Sequence, residues 1–411
     1  IMAQDLRALV TLAIGLAFFL TFSTWSQNKA RSNKTLKWLT IGGMVAMTST
    51  LIQAYYIFME AYTYPDWMQK IQELFVQQSP YFTARGRRVT GFTYEASWFA
   101  HQMVMLYIPL WLAATYQRTS VFKFRLWRLT MENILLVLGV GLFFLTSPRI
   151  GLISFLLICL FIFLKLNLTI LRRLVAFISL RHWFKSSKAQ IPLKITATLI
   201  ASVMMLAVYT ILLAGAIYFA IQLDWRMKLL VAKPPTWEDI KGVLILQESV
   251  LLSISHRWAF LERMVYWLTG WHIFNDHPWL GVGLGNAGFF ALDQTPPIGW
   301  ASYEIRMLLF RSTQFPNLKS FWMRLLAETG MVGFSTFVAW VVVLFQSARL
   351  TLRSHMPALQ VLALTGQLSL AAFIGEGFSI DSFAMPYLWV TSGLIAASSM
   401  AYRKTITVKQ L

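Results

Sequence analysis

Five charged side chains stand in or beside strongly apolar stretches of this sequence: Arg149, Arg263, Lys319, Glu95 and Glu328. An arginine guanidinium stays charged, and its planar fork can bind two phosphate oxygens at once. A lysine ammonium can be a further phosphate contact or, where neighbouring cations favour its neutral form, a base. A carboxylate can orient or deprotonate a hydroxyl group. These residue types therefore fit a displacement in which negative charge develops on a phosphate leaving group.

The basic residues also have purely structural interpretations. A long basic side chain at the edge of an apolar segment commonly extends its charged end to the membrane interface, which would make Arg149 and Lys319 anchors. Arg263 follows the acidic Glu262 and could pair with it or with another acid. Anion binding and a structural role therefore both stay open for these three residues.

The acidic residues have similar alternatives. The carboxylate of Glu95 can act on a hydroxyl group or can hold Arg88, which lies shortly before it. Glu328 lies inside an apolar segment, where an acid is costly and by default functional. However, Arg324 precedes it by one helical turn, and this spacing favours an i,i+4 ion pair with a structural role.

The stretch "NDHPWLGVGLGN" contains three glycines, Gly281, Gly283 and Gly285, and predicts a tight, irregular loop. Its glycine spacing suggests a dinucleotide-binding fingerprint, but that site needs a preceding strand and a βαβ unit, which the sequence does not predict. Two interpretations remain. The glycines either let the turn pack closely against a helix or leave backbone amides open towards an anionic group.

The composition indicates a membrane protein: 57% of the residues are hydrophobic and only 13% are charged. Apolar runs long enough to cross about 30 Å of hydrocarbon recur along the chain, and no strand alternation is evident. We therefore predict an all-α, polytopic integral membrane protein. Its nine predicted crossings lie at about 6–26, 38–60, 97–116, 131–147, 150–166, 194–221, 321–347, 357–375 and 385–401.

The net charge of +19 follows a membrane topology rather than a nucleic-acid surface. Five segments between crossings hold 20 of the 36 lysines and arginines and no Asp or Glu: 27–37, 117–130, 165–194, 348–356 and 402–411. Such an excess marks cytoplasmic loops, so the C-terminus is predicted inside, with basic side chains near anionic lipid headgroups. We expect no nucleic-acid partner. The single cysteine, Cys159, cannot form an intrachain disulfide.

The opposite face then receives two long segments, 61–96 and 222–320. "PDWMQKIQELFVQ" has the apolar spacing of an interfacial helix. "TWEDIKGVLILQESVLLSIS" opens with Thr236 and Asp239 at capping-box spacing, and a further helix is predicted over about 258–275. The predicted organisation is 1–221 with membrane helices and the outer loop 61–96, 222–320 as an extracytoplasmic helical domain, and 321–411 with C-terminal membrane helices.

Four motifs occur in the order typical of the O-antigen ligase and O-antigen polymerase superfamily: "RRVTGFTYEAS", "LTSPRIGL", "ERMVYWLTGWHIFNDHPWLGVGLGN" and "KSFWMRLLAETGMVG". The chain resembles this superfamily over about residues 85–340. The resemblance implies a GT-C-like membrane glycosyltransferase on the outer face of the bacterial inner membrane. Such enzymes take a glycan from a polyprenyl diphosphate and invert the anomeric carbon, without a metal ion, cofactor or nucleotide sugar.

The resemblance also implies roles, because Arg149 and Arg263 match the family's phosphate-binding arginines. One position departs: where the family opens a helix with His-Asn, this chain has Lys319 and Ser320, so the family's histidine base cannot be carried over. The resulting assignment is Lys319 and Glu95 for catalysis, Arg149, Arg263, Lys319, Gly283 and Gly285 for the diphosphate, and Arg88 and Glu328 for acceptor binding or support.

Three functions stay open at this point. The missing histidine favours a polymerase that extends a polyprenyl-linked repeat-unit glycan, with an O-antigen ligase as the alternative. A transporter of a small anion such as bicarbonate is the third, although the long outer segment and the lack of evident inverted repeats argue against it. The expected partners are the lipid-linked oligosaccharide, membrane lipids, and a flippase and a chain-length regulator.

Overall fold

The protein is described by a computed structural model over residues 2–59, 66–74, 88–146, 148–180, 232–312 and 315–410, with isolated residues between 203 and 229. Most of this part of the chain is helical, as predicted. The helices before residue 181 are α1 (Met2–Trp25), α2 (Lys29–Met59), α3 (Asp66–Glu73), α4 (Ala96–Gln102), α5 (Ile108–Tyr116), α6 (Met131–Leu145) and α7 (Arg149–Leu180). The later helices are α8 (Trp237–Leu244), α9 (Glu248–Arg257), α10 (Leu261–Asp276), α11 (Ala291–Gln294), α12 (Tyr303–Arg306), α13 (Phe321–Thr351), α14 (Pro357–Glu376) and α15 (Pro386–Gln410).

Within the described ranges, five helices are long and apolar enough to cross a membrane. These segments are Met2–Trp25, Ala30–Phe58, Arg149–Asn167, Phe321–Thr351 and Pro357–Glu376. They coincide with the predicted crossings at 6–26, 38–60, 150–166, 321–347 and 357–375. The protein is therefore a polytopic helical membrane protein.

The other four predicted crossings have different outcomes. The crossing at 131–147 corresponds to the shorter apolar helix α6. The one at 97–116 corresponds to α4 and α5, which a π-helical turn, Met103–Tyr107, joins into one run. Helix α15 covers 386–401 of the last predicted crossing, and 194–221 lies mostly outside the described residues. The total of nine crossings stays a prediction.

Helix α14 is the centre of the bundle and packs against α2, α5, α7, α13 and α15. Its small residues permit this close approach, since a side chain at Gly366 would overlap with Ile395 of α15. The buried Ser369 shares a hydrogen bond of 3.1 Å with Thr391 of α15, and Gln367 accepts one of 2.8 Å from Lys165 of α7. Polar contacts between helices therefore accompany the apolar packing.

One element was not predicted. Residues Arg125–Leu126 and Leu129–Thr130 form a two-stranded antiparallel ladder, β1 and β2, immediately before α6. The ladder is too short to show the apolar alternation by which a strand is recognised in a sequence. Thr130 then caps α6, because its hydroxyl accepts from the Asn133 amide.

Short helices occur between residues 237 and 306. Thr236 and Asp239 form the predicted capping box at the start of α8. The predicted helix over 258–275 is α10, which ends at the turn that begins with His277. Helix α10 packs against the first half of α13 through Ile273 and Ala327.

The ends of several membrane helices meet next to these short helices. The Phe321 amide at the start of α13 donates to Gly377, just after α14, at 2.7 Å. Gln4 near the start of α1 lies against Gly285. The basic segments 27–37 and 348–356 lie at the other ends of α1 and α13. The positive-inside rule therefore predicts that the end of the bundle with the short helices faces outwards.

Cysteine labelling tests this orientation. In a Cys159→Ser background, Asp293→Cys should react with a membrane-impermeant maleimide in right-side-out vesicles, because the exposed Asp293 lies among the short helices. Arg353→Cys should react only after detergent is added, because its segment is predicted to be cytoplasmic. Labelling of Arg353→Cys in sealed vesicles, with Asp293→Cys protected, would reverse the topology.

Candidate active site

Arg263 connects α10 to the start of α13. Its Nη1 donates to the carbonyl oxygen of Lys319 at 3.0 Å and to that of Ser379 at 3.4 Å. The Lys319 amide in turn donates to Asp381 Oδ2 at 3.2 Å. Two of the residues predicted to bind phosphate are therefore in direct contact, and the turn between α14 and α15 holds both of them.

Arg324 continues this line of contacts along α13. It donates to Asp381 Oδ1 at 3.2 Å through Nη1 and to Glu328 Oε1 at 3.0 Å through Nε. The second bond confirms the i,i+4 pair that the spacing predicted. Both carboxylates are buried, so a single guanidinium is hydrogen-bonded to two acidic groups away from water.

Glu328 is only half satisfied by this arrangement. It is 3% exposed, and its Oε2 atom has no hydrogen-bond partner in the described part of the chain. A buried acceptor without a donor costs free energy, so a ligand that donates to this oxygen would stabilise the site.

Burial and charge act in opposite directions on the groups around Arg263. Burial lowers the pKa of the Arg263 guanidinium, and the negative charges of Glu304, Glu95 and Asp381 counteract this shift. Burial also raises the pKa of the Asp381 carboxyl, although the Arg324 cation favours its charged form. An arginine remains protonated in such a setting, so Arg263 is a fixed positive charge.

Lys319 has an unusual backbone conformation for a non-glycine residue, with φ at 50°. Its amide is held by Asp381 and by the Asn317 side chain, which accepts from it at 3.3 Å. Ser320 then caps α13, because its hydroxyl accepts from the Met323 amide. Within the described residues, no acceptor lies within hydrogen-bond distance of Lys319 Nζ, so this ammonium can contact a substrate.

Arg149 lies at the first turn of α7 and reaches the short helices. Its Nη1 donates to the carbonyl oxygens of Trp258 at 3.2 Å and Ala259 at 3.0 Å, at the end of α9. Its guanidinium also lies 5.7 Å from the centre of the Phe260 ring. Arg149 therefore approaches the start of α10, on which Arg263 lies one turn further along.

Arg88 and Glu95 flank the turn before α4. The Arg88 Nε donates to the Thr146 carbonyl at 2.7 Å, which ties this turn to the corner before α7. Glu95 is the N-cap residue of α4, and its exposed carboxylate accepts from the Ser97 hydroxyl at 2.8 Å. Its negative charge counteracts the effect of burial on the pKa of Arg263.

The glycine loop is built into a break in α13. At the break, two loop amides donate to helix carbonyls, and two helix amides donate to loop carbonyls. The four bonds join Val282 to Ala327 (2.9 Å), Gly283 to Glu328 (3.0 Å), Met331 to Pro278 (2.8 Å) and Val332 to Trp279 (3.2 Å). The loop thus replaces the i→i+4 bonds that the helix loses there.

Only glycines allow this exchange. Gly330, at the break, has φ 60° and ψ −163°, a region that is essentially closed to residues with a side chain. A Cβ atom there would overlap with the Trp279 backbone, and one at Gly281 would overlap with the backbone of Glu328. The Gly283 amide is used in the exchange. The loop therefore packs directly behind Glu328.

A cavity of about 250 Å³ lies in front of this loop. Its walls include Arg324, Glu328 and Asp381 together with Arg7 of α1, whereas Arg149, Arg263 and Lys319 do not line it. Asp381 lines the cavity and also accepts a hydrogen bond from the Lys319 amide. In the described ranges, no three His, Cys, Asp or Glu side chains form a group that could hold a metal ion.

Two features of this region were missed in the sequence. The His101 ring of α4 contacts the Glu376 carboxylate of α14, and both side chains are buried within the bundle. Both are ionisable residues within or at the end of apolar segments, and this property could have identified them as partners. The contribution of α1 to the cavity has no comparable local signal.

A comparison with known protein families matches the part of the chain that contains most of these site residues. Residues 134–338 match the model of the family described as O-antigen ligase. The match includes Arg149, Arg263, Lys319 and Glu328 with the glycine loop, and excludes Glu95, Asp381 and α1. No curated protein matches the chain.

The break in α13 predicts that Gly330 cannot be replaced. Gly330→Ala should lower the free energy of unfolding by about 1–3 kcal/mol, because it forces a side chain into a glycine-only conformation against backbone. Thermal unfolding in detergent measures this loss. Gly141→Ala is the control, since an added Cβ atom at that helical position meets nothing within 4 Å. Equal melting temperatures for the two variants would contradict the exchange.

Proposed function

Because this chain belongs to the O-antigen ligase and polymerase superfamily of membrane glycosyltransferases, we propose that it is a polymerase. It extends repeat-unit glycans that are carried on a polyprenyl diphosphate. The family match favours this glycosyltransferase over the small-anion transporter considered above. The choice of polymerase over ligase depends on Lys319.

Lys319 is the observation that carries the proposal. Its neighbour Ser320 caps α13, a task that asparagine performs equally well, so Ser320 can replace the family's asparagine without changing the helix. Lysine cannot replace histidine in the same way, because an ammonium stays charged where an imidazole exchanges protons near neutral pH. The site therefore lacks the histidine base at the position where ligases and many polymerases carry it.

The donor diphosphate binds to cations on three elements: Arg149 at α7, Arg263 on α10 and Lys319 before α13. Arg263 uses only Nη1 for its two carbonyl bonds in the described residues, which leaves other N–H groups for phosphate oxygens. Fixed cations stabilise the negative charge that develops on the diphosphate as it leaves. The Gly283 and Gly285 loop supports this arrangement from behind.

Transfer then needs a base for the acceptor hydroxyl, and we assign this role to Glu95. The acceptor oxygen attacks the anomeric carbon, the bond from that carbon to the diphosphate oxygen breaks, and the configuration inverts. The acceptor proton passes to the Glu95 carboxylate, and polyprenyl diphosphate leaves with the bonding electron pair. Arg88 holds the turn that carries Glu95, and Glu328 supports the acceptor side.

We further propose that the reaction takes place on the outer face of the bacterial inner membrane, with the C-terminus in the cytoplasm. The basic segments at the opposite end of the bundle support this orientation. A flippase would then supply the lipid-linked oligosaccharide, and a chain-length regulator would limit its extension. The reaction needs neither a nucleotide sugar nor a metal ion.

Incubation of the purified protein with a polyprenyl diphosphate-linked oligosaccharide tests the proposed function. We expect a ladder of products that differ by whole repeat units, together with released polyprenyl diphosphate, because donor and acceptor are the same type of molecule. No separate glycolipid acceptor should be required. Products that form only after such an acceptor is added would identify a ligase instead.

Substitution of Lys319 distinguishes a phosphate contact from a base. Lys319→Arg should retain substantial turnover, because phosphate beside the side chain favours a cation over a neutral base. Lys319→Asn should raise the KM for the donor about 10- to 100-fold, through loss of a charged hydrogen bond. Asparagine is chosen because it tolerates a positive φ, so the backbone is kept.

Lys37→Ala, which removes an exposed lysine at the other end of the bundle, is the matched control and should leave the KM unchanged. An inactive Lys319→Arg enzyme with normal donor affinity would make Lys319 the base. In that case Glu95→Gln should retain activity.

A further inference from the structure

The cavity in front of the glycine loop is a second polar site beside the cations assigned to the diphosphate. One wall is the first turns of α1, with Gln4, Arg7 and Thr11, and another is the start of α13 with Glu328. The segment that begins with Phe315 closes a third side. The volume of about 250 Å³ has room for a small polar molecule.

One of the carboxylates that line this cavity has an acceptor oxygen without a donor. Glu328 is 97% buried, its Oε1 is bound by Arg324, and its Oε2 has no hydrogen-bond partner in the described residues. The side chain lines the cavity, so a ligand there can donate to Oε2. A hydroxyl group is a suitable donor, since a charged acceptor forms the stronger class of hydrogen bond with it.

The charge balance of the walls argues against phosphate as the ligand. Two guanidinium groups, Arg7 and Arg324, face two carboxylates, Glu328 and Asp381, so the lining carries no net charge. Arg324 is already bound to both carboxylates. A diphosphate placed here would meet Glu328 as a like charge, whereas an uncharged ligand would not.

The remaining walls fit a polyol with one apolar face. The Ser382 hydroxyl and the Asn317 amide can both donate and accept, whereas Thr11, which donates to the Ala8 carbonyl, supplies an acceptor oxygen. The half-buried ring of Phe315 provides an apolar surface among them. Alternating donors and acceptors around an apolar surface match a pyranose ring, whose hydroxyls need both kinds of partner.

The α1 wall is held in place by specific contacts. Asn286 Nδ2 donates to Asp5 Oδ1 at 2.9 Å, which connects the glycine loop to α1. Gly285 lets the Gln4 carbonyl approach so closely that a Cβ atom would overlap with it. This wall is therefore fixed by contacts within the protein, and it lies outside the residues that match the family.

We propose that this cavity binds one neutral sugar residue of the glycan, with a ring hydroxyl donating to Glu328 Oε2. The proposal rests on the proposed function, because it places the sugar beside the cations that hold the diphosphate. The sugar belongs either to the donor repeat unit or to the acceptor chain. Arg7, exposed at the mouth of the cavity, then contacts the next sugar.

Binding is tested on the purified full chain in detergent with a panel of neutral methyl glycosides, of glucose, galactose, mannose, rhamnose and N-acetylglucosamine. Saturation-transfer NMR should detect at least one of them, and inorganic pyrophosphate should not displace it. Glu328→Gln should weaken that sugar about 10-fold, since a neutral amide replaces a charged acceptor. Lys319→Asn should weaken only pyrophosphate.

A second variant keeps the test valid if Glu328→Gln does not fold. Thr11→Leu fills the cavity without touching the pair of Arg324 and Glu328, and should abolish sugar binding. Thr21→Leu is the matched control, because both threonines hydrogen-bond back to a carbonyl of α1 and Thr21 lies outside the cavity. No binding by any glycoside, displacement by pyrophosphate, or equal binding by the two threonine variants would overturn the proposal.

The transfer reaction then identifies the source of the sugar. If Thr11→Leu raises the KM of a glycan acceptor alone, the cavity holds the acceptor, and a rise for the lipid-linked donor alone assigns it to the donor. Sugar binding is measured without transfer. A protein that binds glycosides but makes no longer glycan would therefore contradict the proposed function and leave this inference standing.

Discussion

The exchange of hydrogen bonds between the glycine loop and the break at Gly330 is the constraint on which the rest of the site depends. In an apolar environment, a helix can be interrupted only if its freed amides and carbonyls find partners. The loop supplies four of them and so fixes α10 against α13. This contact orients Arg263 on one element and Glu328 on the other, and no metal ion or disulfide is needed to hold them together.

The same contact separates two kinds of polar environment. Arg324 lies between Glu328 and Asp381 and donates to both, and Arg7 brings a second cation to the same cavity, so the four charges balance. Arg263 donates to backbone carbonyls through one side-chain nitrogen, and Lys319 donates to Asp381 through its main-chain amide. The positive charges of both side chains therefore remain for a substrate. An anionic leaving group and an uncharged glycan thus have adjacent but different surroundings, with Asp381 between them.

Local sequence patterns correctly predicted the structural features that depend on residues close together in the sequence. The capping box at Thr236, the pair of Arg324 and Glu328, and the end of α10 all follow from spacings of three or four residues. The interpretation of the glycines as a turn packed against a helix was also correct. Asp381 and the pair of His101 and Glu376 were missed because their partners lie on distant segments, and hydrophobic periodicity does not indicate which helices become neighbours.

The backbone conformation of Lys319 helps to explain why a lysine occupies this position. A φ of 50° is several-fold more common for asparagine, aspartate and histidine than for long side chains, so the family's histidine suits this conformation better than lysine does. A residue held in a sparsely populated region costs of order 1–3 kcal/mol and persists only where its surroundings impose it. Here Asn317 and Asp381 hold the amide, while the ammonium has no partner among the described residues. If lysine served only as a membrane anchor, a neighbouring position without strain would serve as well. Lysine instead occupies the strained position, which places its side chain beside Arg263. This placement supports diphosphate binding as the reason why lysine replaces the family's histidine.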